Sequence, residues 1–142
     1  MNEALVANWN SVVGPYDKVY HLGDVLFGKK TGVVDRLHGK IYLVAGNHDD
    51  LGNFEFTKRF TEIYSLFYNK KRGVVMSHSP IHESQIERGC TVNLHGHLHD
   101  KHVMSYVRGH KNGVTEVRDS RYFNCCVENH DYAPFSLDEL KI

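Results

Sequence analysis

Apolar positions come in short bursts separated by polar, glycine-bearing turns. Leu5, Val6, Trp9, Val12 and Val13 recur at helical spacing and Gly14-Pro15 stops the run, which predicts an amphipathic first helix lying on a sheet. Lys18 to Val25 reads as a short apolar strand ending near Asp24. Val33 to Leu37 reads as a brief helix with Gly39 past its end, and Lys40 to Ala45 as a buried strand. Two such strand-to-strand steps favour an α/β sheet with ligands on loops at the strand ends, where open α/β sheets bind. Further along, the pattern predicts a helix over Phe54 to Phe60 and strands over Glu62 to Tyr68 and Gly73 to Met76, the latter two flanking an Asn69-Lys70-Lys71-Arg72-Gly73 hairpin turn. Glu83 to Arg88 reads as a short helix, Cys90 to Leu94 as a strand, and Val103 to Val127 as a pair of strands around Lys111-Asn112-Gly113. No repeat, linker or low-complexity stretch interrupts the chain, so one layered α/β domain over residues 1–142 is expected.

The turns carry the chemistry. Gly23-Asp24, Gly46-Asn47-His48-Asp49, Ser77-His78-Ser79-Pro80 and His95-Gly96-His97-Leu98-His99 supply a carboxylate, a carboxamide oxygen and several imidazoles, mostly at the ends of apolar runs. Such a mixed oxygen and nitrogen set suits divalent Mn, Fe or Zn better than a thiolate site would. A carboxylate can bridge two cations about 3.5–4 Å apart, which makes Asp24 the natural bridging ligand. Asn47 offers an oxygen that leaves the positive charge of a bound ion uncancelled. His97 and His99 lie two apart, so in an extended segment their rings share a side. Alternation puts His21 on the face of Gly23 rather than of Asp24, so it reads as a packed histidine. His95 reads similarly, with a spacing that makes it the first spare ligand. His38, His102, His110 and His130 lie in polar segments and read as surface residues.

In this order the turns resemble the calcineurin-like metallophosphoesterase family, whose pattern runs D-x-H, G-D, G-N-H-D/E, H, then G-H-x-H. The resemblance spans Val19 to His99 and continues weakly through Tyr122 to Val127 and Ser136 to Glu139. It implies a layered fold of sheets flanked by helices, and a metal-dependent phosphoesterase that cleaves phosphomono- or phosphodiesters with a metal-activated hydroxide. Asp24, Asn47, His78 and His97 would hold one divalent ion, with Asp24 and His99 serving a second. His48 would be the catalytic histidine that contacts the phosphoryl oxygens or protonates the leaving alkoxide. In many relatives an Asp three residues after the Gly-Asp pair orients that imidazole. Phe27 stands there here, leaving Asp49 or Asp50 to substitute. Mn²⁺ is the first choice of metal, ahead of Fe, Zn²⁺ or Ni²⁺. No Asp-x-His precedes Asp24, so the chain is expected to lack the family's first strand and part of one metal site. That gap motivates an alternative, a metal-binding protein of the same fold with weak or no catalysis. It also motivates an expected homodimer through the edge near Val19 to Leu22.

Composition narrows the partners. Seventeen Lys and Arg balance seventeen Asp and Glu, so no net field draws nucleic acid or an anionic membrane, and nucleic acid enters only as a substrate. Cys90, Cys125 and Cys126 form no C-x-x-C and fit a reducing compartment. With no apolar stretch long enough for a membrane helix, the expected location is cytoplasmic.

Overall fold

A computed structural model describes residues 2–25, 31–110 and 113–141. Helix α1 (Asn2–Val12) leads into strand β1 (Lys18–His21), a 3-10 helix (Thr31–Arg36) and β2 (Lys40–Val44). Then come α2 (Phe54–Thr57), β3 (Glu62–Tyr64), β4 (Phe67–Asn69), β5 (Val74–Ser77), α3 (Glu83–Ile86) and β6 (Val92–His95). Strands β7 (Met104–Arg108), β8 (Val114–Arg118) and β9 (Tyr122–Asn124) follow, with 3-10 turns at Val127–Asn129 and Leu137–Glu139 closing the described chain. The architecture is mixed α/β with several sheets and few helices.

One sheet runs β1-β2-β3, all parallel, and a second runs β4-β5-β6-β9, in which β5, β6 and β9 are parallel and β4 is antiparallel to β5. Successive side chains of a strand point to opposite faces, and the core follows that rule. Tyr20, Leu22, Val44 and Tyr64 from the first sheet meet Phe67, Val74, Met76, Val92, Leu94 and Phe123 from the second in one cluster. On the far side of the first sheet, Ile41 and Leu43 pack with Val34, Phe56, Phe60 and Trp9, so α1, the first 3-10 helix and α2 cover that face. Val75 on the far side of the second sheet packs with Ile86 and Cys90 under α3.

Several expected elements are shorter or split. The helix over Phe54 to Phe60 is a single turn ending at Thr57, although Phe56 and Phe60 both remain buried and touch edge to face. The strand over Glu62 to Tyr68 breaks at Ser65-Leu66, because its first half joins one sheet and its second half the other. Of the side chains expected at the surface, His38 is exposed, with Nδ1 against the Val13 carbonyl at 3.1 Å, whereas His130 is half-buried, stacked on Phe123 and tilted against Phe135. Strands β7 and β8 pair antiparallel as an isolated ribbon, with every residue of β8 exposed. Lys111 and Asn112 of its expected turn, and Phe27, lie outside the described residues. Among the described residues β1 pairs only with β2, and no helix is long and apolar enough to cross a membrane.

Candidate metal centre

Parallel strands end on the same side of their sheet, so the turns after β1 and β2, and those after β5 and β6, come together. The first pair is fused by glycine. Gly23 has φ +91°, and a Cβ there would lie 2.5 Å from the Gly46 backbone nitrogen and 2.6 Å from His78 Nδ1. A Cβ on Gly46 would lie 2.4 Å from both the backbone nitrogen and Oδ1 of Asp24. No side chain fits in either place, so the two backbones touch and Asp24 is delivered beside Asn47.

Asp49 fastens this contact. Its carboxylate accepts the N–H groups of Gly46 at 2.8 Å, Val25 at 2.9 Å and Asp24 at 3.0 Å. A carboxylate receiving three backbone donors is a strong, charge-assisted clamp between two loops that are far apart in sequence. Asp49 is therefore a loop clamp. Asp24 Oδ1 in turn accepts the His48 N–H at 2.9 Å, which holds His48 at the exposed rim.

The second pair of turns is held as firmly. Asn93 is fully buried on β6 and donates to Ser77 Oγ at 2.8 Å and the Val75 carbonyl at 3.1 Å, while accepting from the Ile81 N–H at 3.1 Å. Ser77 Oγ donates to the Ser79 carbonyl at 2.7 Å, and Gly96 N–H donates to the His78 carbonyl at 2.8 Å. These bonds fix the turns that present His78 and His97.

Four ligand atoms converge. His78 Nδ1 donates to the Leu22 carbonyl at 2.7 Å, so in the neutral ring Nε2 carries a lone pair. That Nε2 faces Asn47 Oδ1 at 2.8 Å, His97 Nδ1 at 3.1 Å and Asp24 Oδ2 at 3.3 Å. Lone pairs crowded in this way are relieved by a cation. Asp24, His78 and His97 place ligand atoms within 4.8 Å of one another, and the O, O, N, N donor set has the composition of a divalent-metal site. His97 adopts a left-handed φ of +66° and Asp24 one of +54°, a conformation unusual outside glycine and common where a chain holds functional groups in place.

His99 lies outside this group. It also has a left-handed φ, +54°, and its Nδ1 pairs with Glu128 Oε1 at 2.8 Å, which raises its pKa above the ordinary histidine value. Its side chain is 68% exposed. His95 is buried and bonded to the Gly96 carbonyl at 2.9 Å, and burial lowers its pKa. His21 stacks on Trp9, as its place in the strand predicts, and its enclosed Nδ1 has no hydrogen-bond partner among the described residues. Burial is also the first cause that lowers its pKa, against the pull of Asp49 and Asp24. Cys125 is pushed up to about 12 by burial, so it is an inert thiol. The residues that sequence reasoning missed are supports: the Leu22 carbonyl, Asn93, and Glu128 with its neighbours. Their partners are too distant along the chain to leave a local signal.

No protein-family model matches the chain. It is 32% identical to Uncharacterized protein MJ1445 of Methanocaldococcus jannaschii over 148 aligned residues, covering 97% of this chain and 72% of that protein. The chain belongs to that protein's family. It is also similar to a crystal structure of AQ665, a protein of unknown function from Aquifex aeolicus, with a TM-score of 0.66 and 27% identity over 97% of this chain and 82% of the other. The two turn pairs thus sit on a fold shared with the AQ665 protein.

Proposed function

We propose that this chain is a metal-dependent phosphoesterase with a layered fold of the calcineurin-like metallophosphoesterase type. The observation that carries this reading is the convergence of Asp24, Asn47, His78 and His97 from four strand ends, with His48 beside them. Mn²⁺ is the preferred ion, with Fe, Zn²⁺ and Ni²⁺ as competitors. When bound, such ions supply positive charge for a phosphate ester and make water a nucleophile near neutral pH.

The chain's own residues do the rest. Asp49 and the two glycines keep Asp24 and Asn47 in register, so little ordering remains when an ion arrives. Leu22 fixes the His78 tautomer, which leaves Nε2 available as a ligand atom. His48 is anchored through its backbone to Asp24, and its exposed position lets it meet phosphoryl oxygens or give a proton to the leaving alkoxide. A positioned acid of that kind is worth about 10²–10⁴-fold.

A second reading, metal binding with little catalysis, is favoured by the cluster itself, which brings together enough groups for one ion and leaves His99 outside. One set of variants separates the two. Elemental analysis is expected to find a retained divalent ion that His78→Ala or His97→Ala abolishes. With Mn²⁺ and an activated phosphodiester, His48→Ala is expected to keep the ion and lose about 10²–10⁴-fold in kcat. Full ion retention in His78→Ala and His97→Ala would refute the site. Ion retention without any hydrolysis by the parent chain would select the second reading.

A further inference from the structure

His99 is the anomaly of the ligand turns, because it is exposed yet more heavily restrained than a surface histidine requires. Three side chains from one short segment hold it. Its carbonyl accepts from Asn124 Nδ2 at 2.8 Å and from Asn129 Nδ2 at 2.9 Å, and its ring bonds Glu128 Oε1 at 2.8 Å. Asn124 is itself buried and locked, donating also to the Lys101 carbonyl at 2.7 Å and accepting the Cys126 N–H at 2.9 Å. The φ of +54° at His99 carries a steric cost that this scaffold sustains.

We infer that Glu128 is a positioning residue for His99, holding the ring by Nδ1 so that Nε2 is presented as the ligand atom for a second divalent ion beside Asp24. This rests on the metal-site reading above and extends it to a residue outside the ligand turns. A carboxylate can only accept, so it requires the hydrogen on Nδ1, and the lone pair of the neutral ring is then on Nε2. Metal-ligating histidines commonly give their other N–H to a carboxylate, which fixes ring orientation and strengthens the ligand. On that same reading Asp24, whose Oδ2 already faces the first group of ligands, is the group that both ions would share. The anchoring of His99 by residues 124–129 compensates in part for a second site that has few ligands.

The test is an equilibrium titration of the full chain with Mn²⁺ alone, counting bound ions and their separate affinities. The parent chain is expected to bind one ion tightly and a second more weakly. Glu128→Gln keeps the shape but lacks the charge. It is expected to weaken the second ion roughly 10–100-fold and leave the first within about twofold. Glu128→Asp should recover part of the loss. His99→Ala should remove the second ion, and adding Glu128→Gln to it should change nothing more, as coupled partners require. Unaltered second-ion affinity in Glu128→Gln would overturn the inference, as would equal weakening of both ions or a parent chain that binds only one. Each of those results leaves the four-ligand site standing. Binding of no ion at all would remove both the inference and the site. Thermal unfolding of the ion-free variants, expected to match the parent, guards against misfolding.

Discussion

His21 shows how one side chain links burial to pH. Its ring is stacked on Trp9 with Nδ1 enclosed and unpartnered among the described residues, so the folded protein resists protonating it, while the unfolded chain takes up a proton near the ordinary value of about 6.5. A depressed folded pKa means stability that is present above the unfolded value and lost as pH falls towards the folded one. His21 is therefore expected to steepen the loss of stability below about pH 6.5 by at most about 1.4 kcal/mol per pH unit. Denaturant unfolding of the parent and of His21→Phe across pH 5 to 8 checks this, and identical slopes would contradict it. The His99–Glu128 pair works in the opposite sense, favouring the folded state below the ordinary histidine value and losing that contribution as pH rises through its raised one. At this scale the convergence of Asp24, Asn47, His78 and His97 was legible, because all four lie in turns that follow apolar runs. The part played by Asp49 was not, since its three acceptor bonds reach backbone that alternation says nothing about.

At the level of elements, hydrophobic pattern reports burial more faithfully than backbone shape. Phe56 and Phe60 are spaced as on one helix face and both are buried, yet only one turn of α2 forms and a bend carries Phe60 into the core. Tyr64 and Phe67 likewise pack in the same cluster across a break that transfers the chain between sheets. Where the pattern is reinforced by turn residues, as at Asn69 to Gly73 between β4 and β5, the element is read correctly. The β7–β8 ribbon is the opposite case: Tyr106, Val107 and Val114 are apolar in sequence but exposed, and none of its described residues belongs to a core cluster. Two strands on their own are marginal in water, so the ribbon adds little to global stability. Replacing residues 104–118 with a short glycine-rich link is expected to keep cooperative unfolding and shift Tm by only a few degrees. Keeping Lys101 preserves the carbonyl that Asn124 holds. Loss of a cooperative transition in calorimetry would show that the ribbon supports the fold after all.

Across the whole molecule, the four converging side chains hang in two pairs, one from each of two sheets whose inner faces share one core, so the pairs do not come together until those faces have met. The consequence lies in time. If the site closes only after the main folding barrier is crossed, an ion cannot hasten folding and acts wholly on escape from the native state. With Mn²⁺ at a hundred times its dissociation constant, the unfolding rate is expected to fall about a hundredfold while the folding rate stays unchanged. Stopped-flow chevrons with and without the ion would show it, and a faster folding limb would mean that the turns assemble before the sheets dock. The ion supply of its surroundings would then set how long each folded copy lasts.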